Sequence, residues 1–85
     1  MQEFRYVITD EMGIHARPAG LLVKEAQKYK SDITIENGGK SGNMKSIFSV
    51  MSVSAKKGDK VTVKVNGPDE KSAAEFLNSF FKQNL

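Results

Sequence analysis

The sequence has no cysteine and no tryptophan, a single histidine, two prolines and no long hydrophobic run. Each absence closes off a class of function. Without cysteine there is no disulfide framework and no thiolate metal site, a composition that fits a reducing cytoplasm. A lone histidine would need an all-carboxylate partner set to hold zinc, so neither a metal nor a cofactor is expected. No stretch approaches the ~20 apolar residues of a membrane span. The opening "MQEFRYVITDEMG" lacks the basic-then-apolar order of a secretory leader. Charge of one sign is also scarce: 13 Lys and Arg against 10 Asp and Glu leave +3. The cations are interspersed with acids, which leaves no clustered footprint for nucleic acid. The 85 residues are read as one domain, 1–85, with no room for a second core.

What is present is a change of hydrophobic period along the chain. "EFRYVIT" at 3–9 sets Phe4, Tyr6 and Ile8 against Arg5, Val7 and Thr9, the period of two of a strand. From Ala16 to about Tyr29 the stripe Ala19, Leu22, Val23 and Ala26 has helical spacing. "SDITIENGGKSGNM" reads as a hairpin with Ile33 and Ile35 inward and positive φ supplied at Asn37-Gly38-Gly39. "KSIFSVMSVSA" predicts a short helix capped by Ser46. "KVTVKVNG" alternates as a strand, and a last helix begins after Asp69 with Ala73, Ala74, Leu77, Phe80 and Phe81 on its apolar side. The order is β-α-β-β-α-β-α. The second face of the strands is polar, as an antiparallel sheet with one wet face permits. The fold class is therefore α+β, a two-layer open-faced β-sandwich with three helices on one face of four strands.

The histidine lies in "GIHARPAG", residues 13–20. Pro18 is tolerated only in a first helical turn, so the helix begins near residue 16 and His15 sits at its N-terminal end. There the N–H groups of Ala16 and Arg17 and the positive end of the helix dipole would stabilise an anion attached to the ring. Arg17 adds a guanidinium suited to phosphate oxygens. Gly13, Ala16 and Gly20 offer space for another protein to approach. No second nucleophile accompanies His15, and Asp10 and Glu11 serve equally well as solvated turn residues. The chemistry favoured is that of a carrier: a phosphoryl group taken onto His15 and handed on, with no substrate turned over.

"GIHARPA" resembles the active-site signature of the histidine-containing phosphocarrier (HPr) family of the bacterial phosphoenolpyruvate:sugar phosphotransferase system. The resemblance runs from residue 2 to 83 and includes a second stretch, "KSIFSVMSVSAKKGD", at 45–59. It implies a sheet of order 1-4-2-3, phosphorylation of His15 on Nδ1 by enzyme I with phosphoenolpyruvate as original donor, and transfer to sugar-specific IIA proteins or domains. Arg17 matches the arginine that helps hold the phosphate. In relatives from many low-GC Gram-positive bacteria the serine matching Ser46 is phosphorylated by a dedicated kinase/phosphorylase, which implies catabolite control through a transcription regulator. Two positions depart from the family pattern: Met12 stands where a small polar residue is common, and Ser54 where glycine is common.

Leu21 shares a helix face with Arg17, Lys24 and Lys28. The short second helix is apolar nearly all round, and it can bury only one side. Val50 and Val53 are expected inside, and Ile47, Phe48 and Met51 outside. With Leu21 and Lys24 they would form a partner-binding patch beside His15. A monomer with no nucleic-acid partner and no membrane insertion is expected. A different reading keeps His15 idle and makes the chain a regulatory binding module acting through Ser46 and the Ile47, Phe48 and Met51 patch. Two short matches carry no weight. "GGKS" needs a glycine at position 34 to complete a phosphate-binding loop and finds Thr34. "GKSG" fits an RNA-binding G-x-x-G but sits in a hairpin.

Overall fold

The strand alternation and helical stripes close onto one another as two layers. The computed structural model describes residues 1–85. In chain order it contains β1 (Gln2–Val7), α1 (Ala16–Ala26), β2 (Asp32–Asn37), β3 (Lys40–Asn43), α2 (Ile47–Ser52), β4 (Lys60–Asn66) and α3 (Glu70–Asn84). The four strands form one antiparallel sheet in the order β1-β4-β2-β3, and the three helices cover one of its faces. Register places Phe4 opposite Val63 and Val63 opposite Ile35, so inward side chains run in rows across the sheet. Phe81 of α3 lies on these rows, fully buried, with its ring edge-on to Phe4 and Tyr6 at centroid distances of 5.6 Å each. Every member of the expected α1 stripe is buried, as are Val61, Val63 and Val65.

Two boundaries and one turn differ from the sequence reading. β1 ends at Val7 rather than residue 9, because the N–H groups of Thr9 and Asp10 turn away to the main-chain oxygen of Leu85, at 2.6 and 2.8 Å. α1 ends at Ala26 rather than near Tyr29. Lys28 and Tyr29 tighten into three-residue turns, and the next two N–H groups, of Lys30 and Ser31, go to the Asp69 carboxylate at 2.9 and 3.0 Å. The Ser31 hydroxyl donates to the same carboxylate at 2.6 Å. This hydroxyl, followed by the Lys30 N–H, holds the Asp69 carboxyl below its ordinary range. Asp69 therefore ties the α1–β2 turn to the start of α3 instead of capping α3 with its side chain. In the β2–β3 turn only Gly38 has positive φ, +63°, where the sequence reading drew on the whole Asn37-Gly38-Gly39 run. A two-residue hairpin with glycine first needs only that one.

α2 begins where Ser46 predicts: the Ser46 side chain accepts from the Ser49 N–H at 3.4 Å. It ends unusually. Ser54 holds φ of +50°, the only residue other than glycine on the positive side. A side chain there costs roughly 1–2 kcal/mol relative to glycine, partly offset by the extra freedom glycine has when unfolded. Ser54→Gly is expected to raise the melting temperature by about 3–6 °C, taking roughly 4–8 °C per kcal/mol for a domain this size. A calorimetric scan showing no gain or a loss would mean that the position carries no strain.

Candidate functional site

His15 is the N-cap residue of α1, with extended backbone (φ −113°, ψ −177°), and its side chain caps nothing. Its carbonyl accepts the Ala19 N–H at 2.9 Å, the first bond of the helix. Pro18 brings no N–H, so the donors left over in the first turn are those of Ala16 and Arg17. No acid lies in that first turn. A helix start with neither a side-chain cap nor an acid forgoes about 1 kcal/mol. The uncompensated donors are suited to an external anion.

The loop that delivers His15 is held on both sides. Asp10 folds it into a turn: its carboxylate accepts the Met12 N–H at 2.8 Å and its carbonyl accepts the Gly13 N–H at 2.9 Å. The Ile14 N–H donates to the Ala55 carbonyl at 2.9 Å. Gly13 has φ of +66°, and a Cβ there would stand 2.3 Å from that same Ala55 oxygen. The loop therefore lies flat on the Ala55–Lys56 backbone. Asp59 keeps that backbone in place. Its carboxylate accepts the Lys56 N–H at 2.9 Å and the Asn37 side-chain amide at 3.1 Å, and these two bonds, in that order, lower its pKa. Asn37 also donates to the Val53 carbonyl at 2.9 Å, which joins the end of α2 to the hairpin.

Around His15 lies an open cleft lined by Asp10, His15, Arg17, Pro18, Leu21 and Asn84, with a volume of about 170 Å³. Small-molecule pockets run to roughly 300–1,000 Å³, so this is a surface notch in which a group on His15 stays accessible. Pro18 is buried, His15 half-buried, and Ala16 and Arg17 exposed. The Arg17 guanidinium takes part in none of the five salt bridges. Met12 is exposed and lies outside the cleft lining.

Gly13 does not serve as open room for a visitor, but Gly20 does leave space. The space beside Gly13 is filled by Ala55, and a Cβ at Gly20 would meet Ile47 at 4.0 Å. Gly13 instead lets the Ala55–Lys56 backbone approach.

The apolar residues of α2 divide as expected. Val50 and Val53 are buried, whereas Ile47, Phe48 and Met51 are 39%, 85% and 40% exposed, and Leu21 on α1 is 48% exposed. The Ile47 side chain lies beside Gly20 of α1, 4.0 Å from where a Cβ would stand, and the Gln27 amide donates to the Lys45 carbonyl at 3.0 Å, so the two helices present one surface. Leu21 belongs to the cleft itself. Lys24 is exposed farther along α1 and pairs with no acid.

Two contributors escaped the sequence reading. Asn84 lines the cleft, and Leu85 accepts from Thr9 and Asp10. Nothing in the sequence flags a contact that joins residues 75 or so positions apart.

The family description "PTS HPr component phosphorylation site" matches residues 2–83. The chain belongs to the HPr family. The phosphocarrier protein HPr of Mycoplasma capricolum is 45% identical over 77 residues, 91% of this chain and 86% of that protein. A solved Mycoplasma histidine-containing phosphocarrier protein superposes with a TM-score of 0.93 at 40% identity, covering 96% of this chain and 93% of the other. The Bacillus subtilis catabolite-repression protein Crh, solved as a domain-swapped dimer, gives 0.78 at 35% identity over 100% and 98%. The four-stranded order and three helices are those of HPr, and the chain is a phosphocarrier of the phosphotransferase system rather than a catalytic enzyme. No helix is long and apolar enough to cross a membrane.

Proposed function

We propose that His15 accepts the phosphoryl group from enzyme I, originally from phosphoenolpyruvate, on Nδ1, and passes it to sugar-specific IIA components. The observation that carries this reading is the bare start of α1: His15 beside two free N–H groups and an unpaired Arg17, with no acid in the first turn of the helix. Arg17 steadies the phosphoryl oxygens. The chain acts as one domain, in the cytoplasm and as a monomer, without metal or cofactor. The test is incubation with phosphoenolpyruvate and purified enzyme I, followed by intact mass. One acid-labile phosphoryl group per chain supports the reading, and an unchanged mass removes it.

Leu21, Lys24, Ile47, Phe48 and Met51 form the docking surface in this reading. Phe48, the most exposed large apolar side chain of the domain, supplies contact area and little to the core. Ser46 is its regulatory switch, open to a kinase/phosphorylase. A phosphate at Ser46 would meet the N–H groups at the start of α2, so the fold tolerates it. The next residue is Ile47, so a docking partner would have to desolvate that charge or be repelled by it. The resulting phosphoserine would suit a transcription regulator with a basic pocket.

The expected result for Phe48→Ala is a transfer rate from enzyme I reduced about tenfold, the effect of losing about 1.4 kcal/mol at an interface anchor, with melting unchanged. Ser46→Asp is expected to slow the same transfer more mildly. If both variants transfer at the wild-type rate, the surface is not used.

The similarity to Crh favours a second reading, a regulatory module working through Ser46 and the patch of Ile47, Phe48 and Met51. It differs in one measurable way, because it requires no phosphate on His15.

A further inference from the structure

We propose that Asp10 is a charge set against the phosphoryl group on His15, so that the loaded carrier gives the group up more readily. The inference rests on the phosphocarrier reading above and assigns a tuning residue to the same site. Asp10 is the only acid among the six residues lining the His15 cleft, and it shares that lining with Arg17. It is also fixed. Its N–H donates to the Leu85 oxygen at 2.8 Å, its carbonyl accepts from Gly13 at 2.9 Å, and its carboxylate Oδ1 accepts the Met12 N–H at 2.8 Å. The two backbone bonds fix the residue and the third keeps its carboxylate in the turn. Glu11 provides the contrast. Its side chain is 83% exposed, pairs with Lys57 at 2.6 Å, and lies outside the cleft.

On loading, a ring nitrogen of His15 donates its lone pair to phosphorus. The bond from phosphorus to the donor breaks and its electron pair stays with the donor. The other ring nitrogen keeps its proton. Negative charge thus arrives on the phosphoryl oxygens in a notch that holds one cation, Arg17, and one anion, Asp10. Arg17 and the free N–H groups of α1 hold the group, and Asp10 opposes it, since a nearby like charge disfavours the charged form. A carrier benefits from that opposition. It has to bind the group well enough to be loaded and loosely enough to unload, and attraction alone would trap it.

The variant that isolates the charge is Asp10→Asn, whose amide oxygen can still accept the Met12 N–H. The complete chain is brought to equilibrium with enzyme I at fixed ratios of phosphoenolpyruvate to pyruvate, and the loaded fraction is read by intact mass. Relative to wild type, the loading equilibrium constant of Asp10→Asn is expected to rise about fivefold, which is about 1 kcal/mol. The ratio should be largest at low ionic strength and fall toward one near 1 M salt, where the screening length is about 3 Å. Asp10→Ala should show the same shift together with a lower melting temperature, because it also loses the turn. Glu11→Gln, with the same change in net charge, should load like wild type. The proposal is overturned if Asp10→Asn loads like wild type at low salt, if its shift ignores salt, or if Glu11→Gln shifts as far. A wild-type chain that takes no phosphoryl group would instead bring down the carrier reading, and this proposal with it.

Discussion

His15→Ala is expected to carry no acid-labile phosphate after incubation with enzyme I and phosphoenolpyruvate, and to melt within about 4 °C of the wild type. The two halves of this result are separable because of how His15 is built in. Its ring makes no hydrogen bond and caps no N–H group, and the helix uses only its backbone carbonyl, which alanine retains. A substitution with no buried partner to strand changes stability by roughly 0.5 kcal/mol or less, which sets the bound on melting. Chemistry has no such reserve, since the chain has no second histidine and no cysteine to take the group. Arg17→Ala should be milder and just as clean in the fold, because the guanidinium is exposed and pairs with no acid. Losing one charged donor to a developing anion slows transfer about 10²-fold. Phosphate found on His15→Ala, by mass and by its loss in acid, would move the acceptor elsewhere. Heavy unfolding of that variant would mean the imidazole is a structural prop.

The parts of this protein that could be read from its sequence are those where a side chain and its neighbours three or four positions away decide the outcome. Pro18 announces the first turn of α1, and Ser46 announces the first turn of α2, because each acts within one helical turn. The division of α2 into buried Val50 and Val53 and exposed Ile47, Phe48 and Met51 follows from geometry alone, since a short helix on a sheet has one inner side. Strand alternation placed Ile33, Ile35, Val61, Val63 and Val65 in the core for the same reason.

What was not legible depends on backbone atoms from distant segments. The Leu85 oxygen that ends β1 early, and the Asp69 carboxylate that ends α1 early, reach residues 76 and 38 positions away. No local pattern records either partner. Asn84 enters the cleft by the same route, carried there by the docking of the last turn of α3. Gly13 and Gly20 divide in a subtler way. In the sequence they read as empty room around the histidine. In the fold the room at Gly13 is already occupied by the Ala55 carbonyl, whereas Gly20 stays open, with the tip of Ile47 4.0 Å from where a Cβ would stand.

That difference makes the pair a strong test of how the site is held. Gly13→Ala is expected to lower the melting temperature by about 15 °C or more and to cripple loading of whatever remains folded. Gly20→Ala should be neutral or slightly stabilising. At Gly13 two penalties act together. The backbone sits at φ +66°, where a side chain costs roughly 1–2 kcal/mol. In addition the new Cβ would lie 2.3 Å from the Ala55 oxygen and 2.8 Å from the Lys56 Cα, both backbone atoms of a segment pinned by Asp59. Neither can yield as a flexible side chain would. The loop must lift, and lifting it stretches the bond from the Ile14 N–H to that same Ala55 oxygen. A total of about 3 kcal/mol or more follows, in the range of a severe single substitution, at roughly 4–8 °C per kcal/mol. Because Ile14 precedes His15 directly, the lift also displaces the imidazole from the start of α1, and a misplacement of about 1 Å can cost 10²-fold in rate. At Gly20 the helix backbone is ordinary and the nearest atom would be the far end of Ile47 at 4.0 Å. Alanine there gains up to about 1 kcal/mol of helix propensity. Melting curves and loading rates for the two variants decide the matter. Equal stability in both would mean that the loop does not rest on the Ala55–Lys56 backbone, and normal loading in Gly13→Ala would mean that the loop does not position His15.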